Sequence, residues 1–281
     1  MTVSPTGAAM VAGVTGWPVK HSLSPRLHGY WLRKYGTDGI YAPFPIAPEY
    51  FEKAVRGLGD AGVRGLNVTV PHKLAAFRLA DRLDLAAQRI GAVNTLVFQA
   101  DGSIEGRNTD APGFLQNLLQ AGVDPTVGPV LVIGAGGATR GVLHALLEAG
   151  APEIRLVNRT PEKAEQLVAE FADRRLGMAG FFDLSQRLGD VRLAINATSL
   201  GMGGNGVPAV DLSALPSNAI VHDIVYTPLE TPFLAAARAR GLTTVDGLGM
   251  LLHQAAPAFE AFYGVRPDVD DGLRNHLLEV L

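Results

Sequence analysis

The sequence predicts an α/β fold built on two mostly parallel sheets in series, and three observations carry that expectation. Short apolar runs alternate with helical stretches through the first third of the chain. A second alternation begins after Val127-Gly128-Pro129, and a glycine-rich turn separates its first strand from its first helix. Strand, turn and helix in regular succession are the mark of βα units, whose crossovers leave the strands parallel. At 281 residues the chain suits two medium domains better than one.

In chain order, VAGV (11–14), IYAPFPI (40–46) and GLNVTV (65–70) read as strands of the first sheet, with helices opening near Ser24, Pro48 and Pro71. The helix at Ser24 is the best marked. Ser24 suits the N-cap, Pro25 suits the first helical position, Leu27, Tyr30, Trp31 and Tyr35 recur at roughly helical spacing, and Gly36 stops it. AVNTLVF (92–98) followed by Asp101-Gly102 predicts a strand and hairpin, which adds an antiparallel edge. A helix from about Asp110 to Ala121 leads into the second alternation, with strands near 130–133, 154–157, 191–195 and 219–225. Two helices, about 247–263 and 268–280, end the chain with no strand left to follow, so they are expected to pack back on the first domain.

Composition narrows the chemistry. With 47% hydrophobic and 18% charged residues the chain is an ordinary globular protein. Its net charge of -3 argues against nucleic acid or an anionic membrane as the main partner. The absence of cysteine removes disulfides, thiolate nucleophiles and thiolate-bound metals, and the 7 histidines show no metal-ligand spacing, so no metal site is expected. The N-terminus carries no positive charge before Lys20 and is interrupted by Pro and Gly, unlike a signal peptide. No run approaches ~18 apolar residues, and a cytoplasmic protein is expected.

VLVIGAGGATRGVLHAL joins a strand, a glycine turn and a helix. Gly134 and Gly136 allow a tight turn and let the backbone approach a pyrophosphate, whose charge the helix N-terminus would meet. Thr139 stands at the third glycine position of G-x-G-x-x-G, so the loop alone serves equally as a strand-to-helix turn without ligand. The next strand ends in LVNRT, with Asn158 24 residues beyond Gly134, where a carboxylate would receive the ribose 2′-hydroxyl of NAD. Asn158, Arg159 and Thr160 stand there instead. Arg159 can pair with a 2′-phosphate and no acid repels it, which favours NADP over the plainer reading of a surface arginine.

A hydride-carrying cofactor leaves the protein to bind substrate and manage a proton. HSLSPRLHG offers the hydroxyls of Ser22 and Ser24 beside a helix start, fit either for a carboxylate or simply for capping. Asp110, in GRNTDAPGF, also precedes a helix and could be no more than an N-cap. Hydride addition to a ketone creates an alkoxide, and without a metal a cationic donor must meet it. Lys73, in GLNVTVPHK, is the one lysine at a predicted strand end, and a nearby carboxylate would limit the cost of burying it. On the 247–263 helix, Leu248, Leu251, Leu252, Ala255, Phe259 and Phe262 make a buried stripe, while Gly247, Met250 and Gln254 share another side, facing either a crevice or solvent. YWLRK (30–34) matches Y-x-x-x-K but lies well before the glycine loop, so it reads as ordinary helix.

Together these stretches resemble the shikimate dehydrogenase family: GWPVKHSLSPRLH, GLNVTVPHK, GAVNTL, GRNTDAPGF, GAGGATR, VNRT, NATSLGM, DIVYTPLETPFL and GLGMLLHQAAPAFEAFYG match its motifs in order over nearly the whole chain. The resemblance implies NADPH-dependent, reversible reduction of 3-dehydroshikimate to shikimate, on the route to chorismate and the aromatic amino acids. It implies a substrate domain over 1–111, completed by helices within 247–281, a Rossmann-like NADP domain over 112–246, and an active site in the cleft between them. Lys73 and Asp110 would be the catalytic pair. Ser22 and Ser24 would hold the carboxylate, Asn67, Thr69, Asn94 and Gln254 would contact the substrate, and Tyr226 would help close the site. Gly134, Ala135, Gly136, Gly137, Ala138, Asn158, Arg159, Thr160, Thr198, Gly247 and Met250 would bind the cofactor. The partner implied is a small molecule, and the assembly admitted is a homodimer. Gly29 replaces a frequent Asn after the motif histidine, and NTDAPG replaces the commoner NTDG-x-G. Two serines favour shikimate over quinate. The alternatives are a quinate/shikimate dehydrogenase of broader range and a non-catalytic NADP-binding regulator, against which the retention of Lys73 and Asp110 speaks.

Overall fold

In the computed structural model, which describes residues 5–182 and 184–281, the chain divides into two units. One runs to Asp110 and resumes over Leu251–Val280; the other spans Ala111–Met250. The signal-peptide reading falls partly on residues 1–4, outside the described residues.

The first unit holds β1 (Met10–Gly16), α1 (Ser24–Lys34), β2 (Gly39–Pro45), α2 (Phe51–Asp60), β3 (Gly65–Val68), α3 (Lys73–Leu79), β4 (Arg82–Leu83), α4 (Leu85–Ile90), β5 (Thr95–Phe98) and β6 (Ile104–Arg107). Its six-stranded sheet has the order β2-β1-β3-β5-β6-β4. β1 runs parallel to β2 and β3, and β5 antiparallel to β3 and β6. The expected hairpin is therefore present but is not the edge. β4 takes that place, because the N–H groups of Asp81 and Asp84 donate to Ile104 O and Gly106 O (both 2.9 Å) and cover the outer side of β6.

Two helix starts differ from expectation. Leu23, not Ser24, is the N-cap of α1, and Ser24 is its first helical residue; the N–H of Ser24 donates to Ser22 Oγ (3.3 Å), so the preceding serine meets that orphan donor. α3 opens at Lys73 rather than Pro71, so the lysine begins a helix instead of ending a strand.

Alternation along β3 decides what faces the site. Leu66 and Val68 enter an apolar cluster with Phe51, Val55, Ala76 and Leu96, while Asn67 points to the opposite face. Gly65 shows how close the covering helix comes: a Cβ there would lie 2.3 Å from the Phe262 ring and 2.5 Å from Leu96 O.

The second unit opens with α5 (Asp110–Gln120), whose first residue belongs to the first unit. β7 (Val130–Ile133), α6 (Gly137–Ala149), β8 (Ile154–Val157), α7 (Pro161–Phe171), β9 (Leu176–Met178), β10 (Leu193–Asn196), β11 (Ile220–Asp223), α8 (Pro232–Ala239) and β12 (Thr243–Val245) follow. All neighbouring strands are parallel, in the order β12-β11-β10-β7-β8-β9. The order reverses between β7 and β10, the place where an open α/β sheet leaves a crevice for a ligand. β9 and β12, three residues each, were not anticipated.

α9 (Leu248–Tyr263) and α10 (Asp271–Leu278) end the chain. From Leu251 onward they pack in the first unit: Trp31 Nε1 donates to Asp268 O (3.0 Å), and the Tyr263 hydroxyl donates to Ile40 O (2.8 Å). Lys34, of the Y-x-x-x-K stretch, pairs with Asp270 at 2.7 Å. The α9 stripe is buried at Leu248, Leu252, Ala255, Phe259 and Phe262; Leu251 is only partly covered, and Met250 and Gly247 are buried as well.

Candidate active site

A lysine at the first position of a helix sits at the wrong end of the dipole, and the Lys73 side chain is only 13% exposed. Asp110 offsets both penalties. Its Oδ2 accepts a hydrogen bond and ion pair from Lys73 Nζ, and its own side chain is 8% exposed. Asp110 is the first residue of its helix and not the residue before it; Asn108 Oδ1 takes the N–H of Asp110 (3.0 Å), while Asn108 Nδ2 is anchored on Ala92 O (2.9 Å). The plain N-cap reading of Asp110 is thus replaced by an ion pair.

Asn94 holds the other carboxylate oxygen. Its Nδ2 donates to Asp110 Oδ1 (2.9 Å), to Thr109 Oγ1 (2.9 Å) and, more distantly, to Gln254 Oε1 (3.5 Å). Its Oδ1 accepts from the Thr109 N–H (2.8 Å) and the Thr95 hydroxyl (3.1 Å). Thr95 lies opposite Asn67 in the β3–β5 ladder and accepts from Asn67 Nδ2 (3.1 Å). Asn67 Oδ1 in turn accepts from the Tyr41 hydroxyl (2.7 Å), which also interacts with Ser24. Tyr41 stacks on His28 with ring centroids 3.9 Å apart. One polar network therefore joins Ser24, Asn67, Asn94, Asp110, Lys73 and Gln254 within the first unit.

Tyr41, Thr95, Asn108 and Thr109 belong to that network and were missed. Asn108 and Thr109 lay inside the GRNTDAPGF stretch and Thr95 inside GAVNTL; Tyr41 carried no motif, since only strand register brings it in. Ser22 and Thr69 are half-buried, and Ser22 Oγ joins the edge of the network by accepting the Ser24 N–H. Tyr226 follows β11 in the second unit and is partly exposed.

In the second unit Gly134 has φ 109°, and a Cβ there would stand 2.7 Å from Thr198 Cγ2 and 3.1 Å from Ala197 O. Gly136 is the N-cap of α6, with open space where a Cβ would project, so the backbone of the turn is bare toward a ligand. Gly137 and Ala138 form the first turn of α6. Thr139 has a use of its own: its Oγ1 accepts the Gly136 N–H (3.1 Å) and its side chain is fully buried. Asn158 Oδ1 accepts from the Ala135 N–H (3.2 Å), and its Nδ2 donates to Thr160 O (2.7 Å), tying the glycine turn to the loop after β8. Arg159 is exposed on that loop. Gly247 admits a close backbone approach, a Cβ there lying 2.4 Å from Ile224 O. These residues fit a 2′-phosphorylated dinucleotide: donors at a helix start, no bulk over the turn, and an exposed arginine on the loop tied to it.

A glycine turn at the switch point of a doubly wound sheet and a buried ammonium–carboxylate pair are the equipment of a pyridine-nucleotide oxidoreductase. Residues 14–96 match the model of the shikimate dehydrogenase substrate binding domain, 122–201 that of shikimate / quinate 5-dehydrogenase, and 247–273 that of the shikimate 5′-dehydrogenase C-terminal domain. The chain is 54% identical over 275 residues to a shikimate dehydrogenase (NADP(+)) of Paramagnetospirillum magneticum, covering 97% of this chain and 99% of the relative. The shikimate 5-dehydrogenase of Thermus thermophilus, solved with NADP(H) and shikimate, superposes with a TM-score of 0.86 at 39% identity, covering 97% of this chain and 100% of that one. A quinate dehydrogenase from Corynebacterium glutamicum, solved with NAD, superposes with a TM-score of 0.88 at 29% identity over 97% and 99% of the two chains. The chain belongs to the shikimate dehydrogenase family.

Proposed function

We propose that this chain catalyses the NADP-dependent, reversible reduction of 3-dehydroshikimate to shikimate, on the route to chorismate and the aromatic amino acids. The observation that carries the proposal is the buried Lys73–Asp110 pair, held in one polar network with Asn94 and Gln254. The first unit binds the substrate: Ser22 and Ser24 take its carboxylate, and Asn67, Thr69, Asn94 and Gln254 take its hydroxyls. The second unit binds the cofactor, with Gly134 to Ala138 at the pyrophosphate, Asn158, Arg159 and Thr160 at the 2′-phosphate side, and Thr198, Gly247 and Met250 toward the nicotinamide, while Tyr226 helps close the site over the substrate. When bound, NADPH supplies the hydride that reduces the carbonyl carbon.

Lys73 does the remaining work at the carbonyl oxygen. Its Nζ donates a hydrogen bond as negative charge grows there, then gives up a proton so that the oxygen ends as a hydroxyl. In the oxidative direction the neutral amine takes the hydroxyl proton back. Asp110, fixed by Asn94, keeps the ammonium aimed and offsets the cost of its burial.

The second reading, a quinate/shikimate dehydrogenase of broader range, is favoured by the likeness to the Corynebacterium quinate dehydrogenase. A homodimer and a cytoplasmic location complete the proposal; among the described residues no helix is long and apolar enough to cross a membrane. Light scattering on the purified chain tests the dimer. Reduction of NADP and of NAD, each followed with shikimate and with quinate, tests the function. Turnover chiefly with shikimate and NADP supports the proposal, comparable turnover with quinate supports the second reading, and no turnover with any pair refutes both.

A further inference from the structure

Asp223 ends β11 with none of its surface exposed, and no step above uses it. Three donors converge on it. Asn196 Nδ2 and the Val225 N–H reach Oδ1 (both 2.9 Å), and the Thr231 hydroxyl reaches Oδ2 (2.7 Å). Each donor stands at a pivot of the fold. Asn196 is the last residue of β10, paired with Asp223 in the ladder, and its Oδ1 accepts both the N–H (3.1 Å) and the hydroxyl (2.7 Å) of Thr198. Thr231 is the N-cap of α8, its Oγ1 accepting from the Leu234 N–H (3.3 Å). Val225 opens the loop that carries Tyr226. One carboxylate thus ties together the loops after β10 and β11 and the start of α8.

The sheet order gives this hub a direction. Arg159 follows β8, the glycine turn follows β7, and the two loops held by Asp223 follow β10 and β11 on the other side of β7. A dinucleotide with its 2′-phosphate at Arg159 and its pyrophosphate at the glycine turn extends its nicotinamide half over the ends of β10 and β11. Thr198 Cγ2, 2.7 Å from where a Gly134 Cβ would lie, marks the point at which the turn meets the first of these loops. We propose that Asp223 is a positioning residue for the nicotinamide half of the cofactor, acting through Asn196 on Thr198 and through Val225 on the Tyr226 loop. The proposal rests on the NADP reading given under Proposed function. Burial raises the Asp223 carboxyl to about 6 against the three bonds that favour its charged form, so above that value the three donors face an anion.

The test uses the full chain with two probes. NADPH spans both halves of the cofactor site, and adenosine 2′,5′-bisphosphate fills only the Arg159 half. Asp223→Asn keeps the shape but removes the charge and the acceptor for Thr231. Titrated well below its melting temperature, this variant is expected to bind NADPH about tenfold more weakly while binding the bisphosphate as the wild type does. That split is what a purely structural role would not produce. Equal losses for both probes, or no loss for either, overturn the proposal. If Asp223→Asn does not fold, Thr231→Ala removes one donor only and is expected to show a smaller loss with the same selectivity; an unselective loss there overturns it too. Arg159→Ala separates the underlying reading: it is expected to weaken both probes, and if it weakens neither, the assignment of the cofactor has failed, whatever Asp223 does.

Discussion

At the scale of single residues, the site is organised by who satisfies whom. Asn108 accepts the Asp110 N–H, Asn94 fixes one carboxylate oxygen, and the other pairs with Lys73. Breaking a buried pair by deleting one member costs about 3–5 kcal/mol because a charge is stranded, so a Lys73 variant is expected to melt lower while still folding. Arg159 is the opposite case: it is exposed on the loop after β8. Arg159→Ala is expected to weaken NADP by roughly 1–3 kcal/mol, the scale of a charge-assisted hydrogen bond, and to leave NAD affinity almost unchanged. Calorimetric titration with both cofactors checks this, and equal losses would remove the 2′-phosphate assignment. The pairing of Lys73 with Asp110 was legible because each stands in a local stretch whose neighbours constrain it. The bonds of Tyr41 and Thr95 were not, because a hydrogen bond from β2 to β3 or from β3 to β5 depends on strand register, which no short window contains.

At the scale of elements, the long and well-bounded pieces were readable. α1, the β5–β6 hairpin, β7 with its glycine turn, and α9 carry their signals within a few residues. β4, β9 and β12 have two or three residues each, too few for a period to show, and they exist because a neighbouring strand offers them unpaired backbone groups. The start of α1 was misjudged by one residue: Leu23 is the N-cap and caps with no side chain, while Ser22 Oγ accepts the Ser24 N–H. Close packing of α9 over β3 depends on Gly65. Gly65→Ala is expected to destabilise the first unit by about 1–3 kcal/mol, since the added methyl meets Leu96 O, a backbone atom with little room to yield, as well as the Phe262 ring. Urea unfolding of the variant checks this, and unchanged stability would mean that α9 can lift without cost.

At the scale of the whole molecule, each unit has its own apolar core, and each core buries a histidine. His28 in the first unit is held down to about 3, and His222 in the second to about 4, both by burial. Each is neutral in the folded chain and free to charge in the unfolded one. As pH falls below about 6.5, the unfolded state therefore gains protons that the folded state cannot, and stability is lost until the folded values are reached, at up to about 1.4 kcal/mol per pH unit for each group. Asp223, raised to about 6, works in the opposite sense between its unfolded value and pH 6, because there the folded state holds the extra proton. His28→Phe, which keeps a ring against Tyr41, is expected to gain stability over the wild type progressively as pH drops from 6.5 toward 4. Parallel stability curves across that range would show that His28 titrates freely in the fold.

The most direct measurement is kcat of Lys73→Ala for shikimate oxidation, taken with the affinity for NADP on the same preparation. A fall in kcat of at least about a hundredfold, with NADP bound as tightly as by the wild type, is the result expected if Lys73 manages the proton at the reacting oxygen. A near-normal kcat would contradict it.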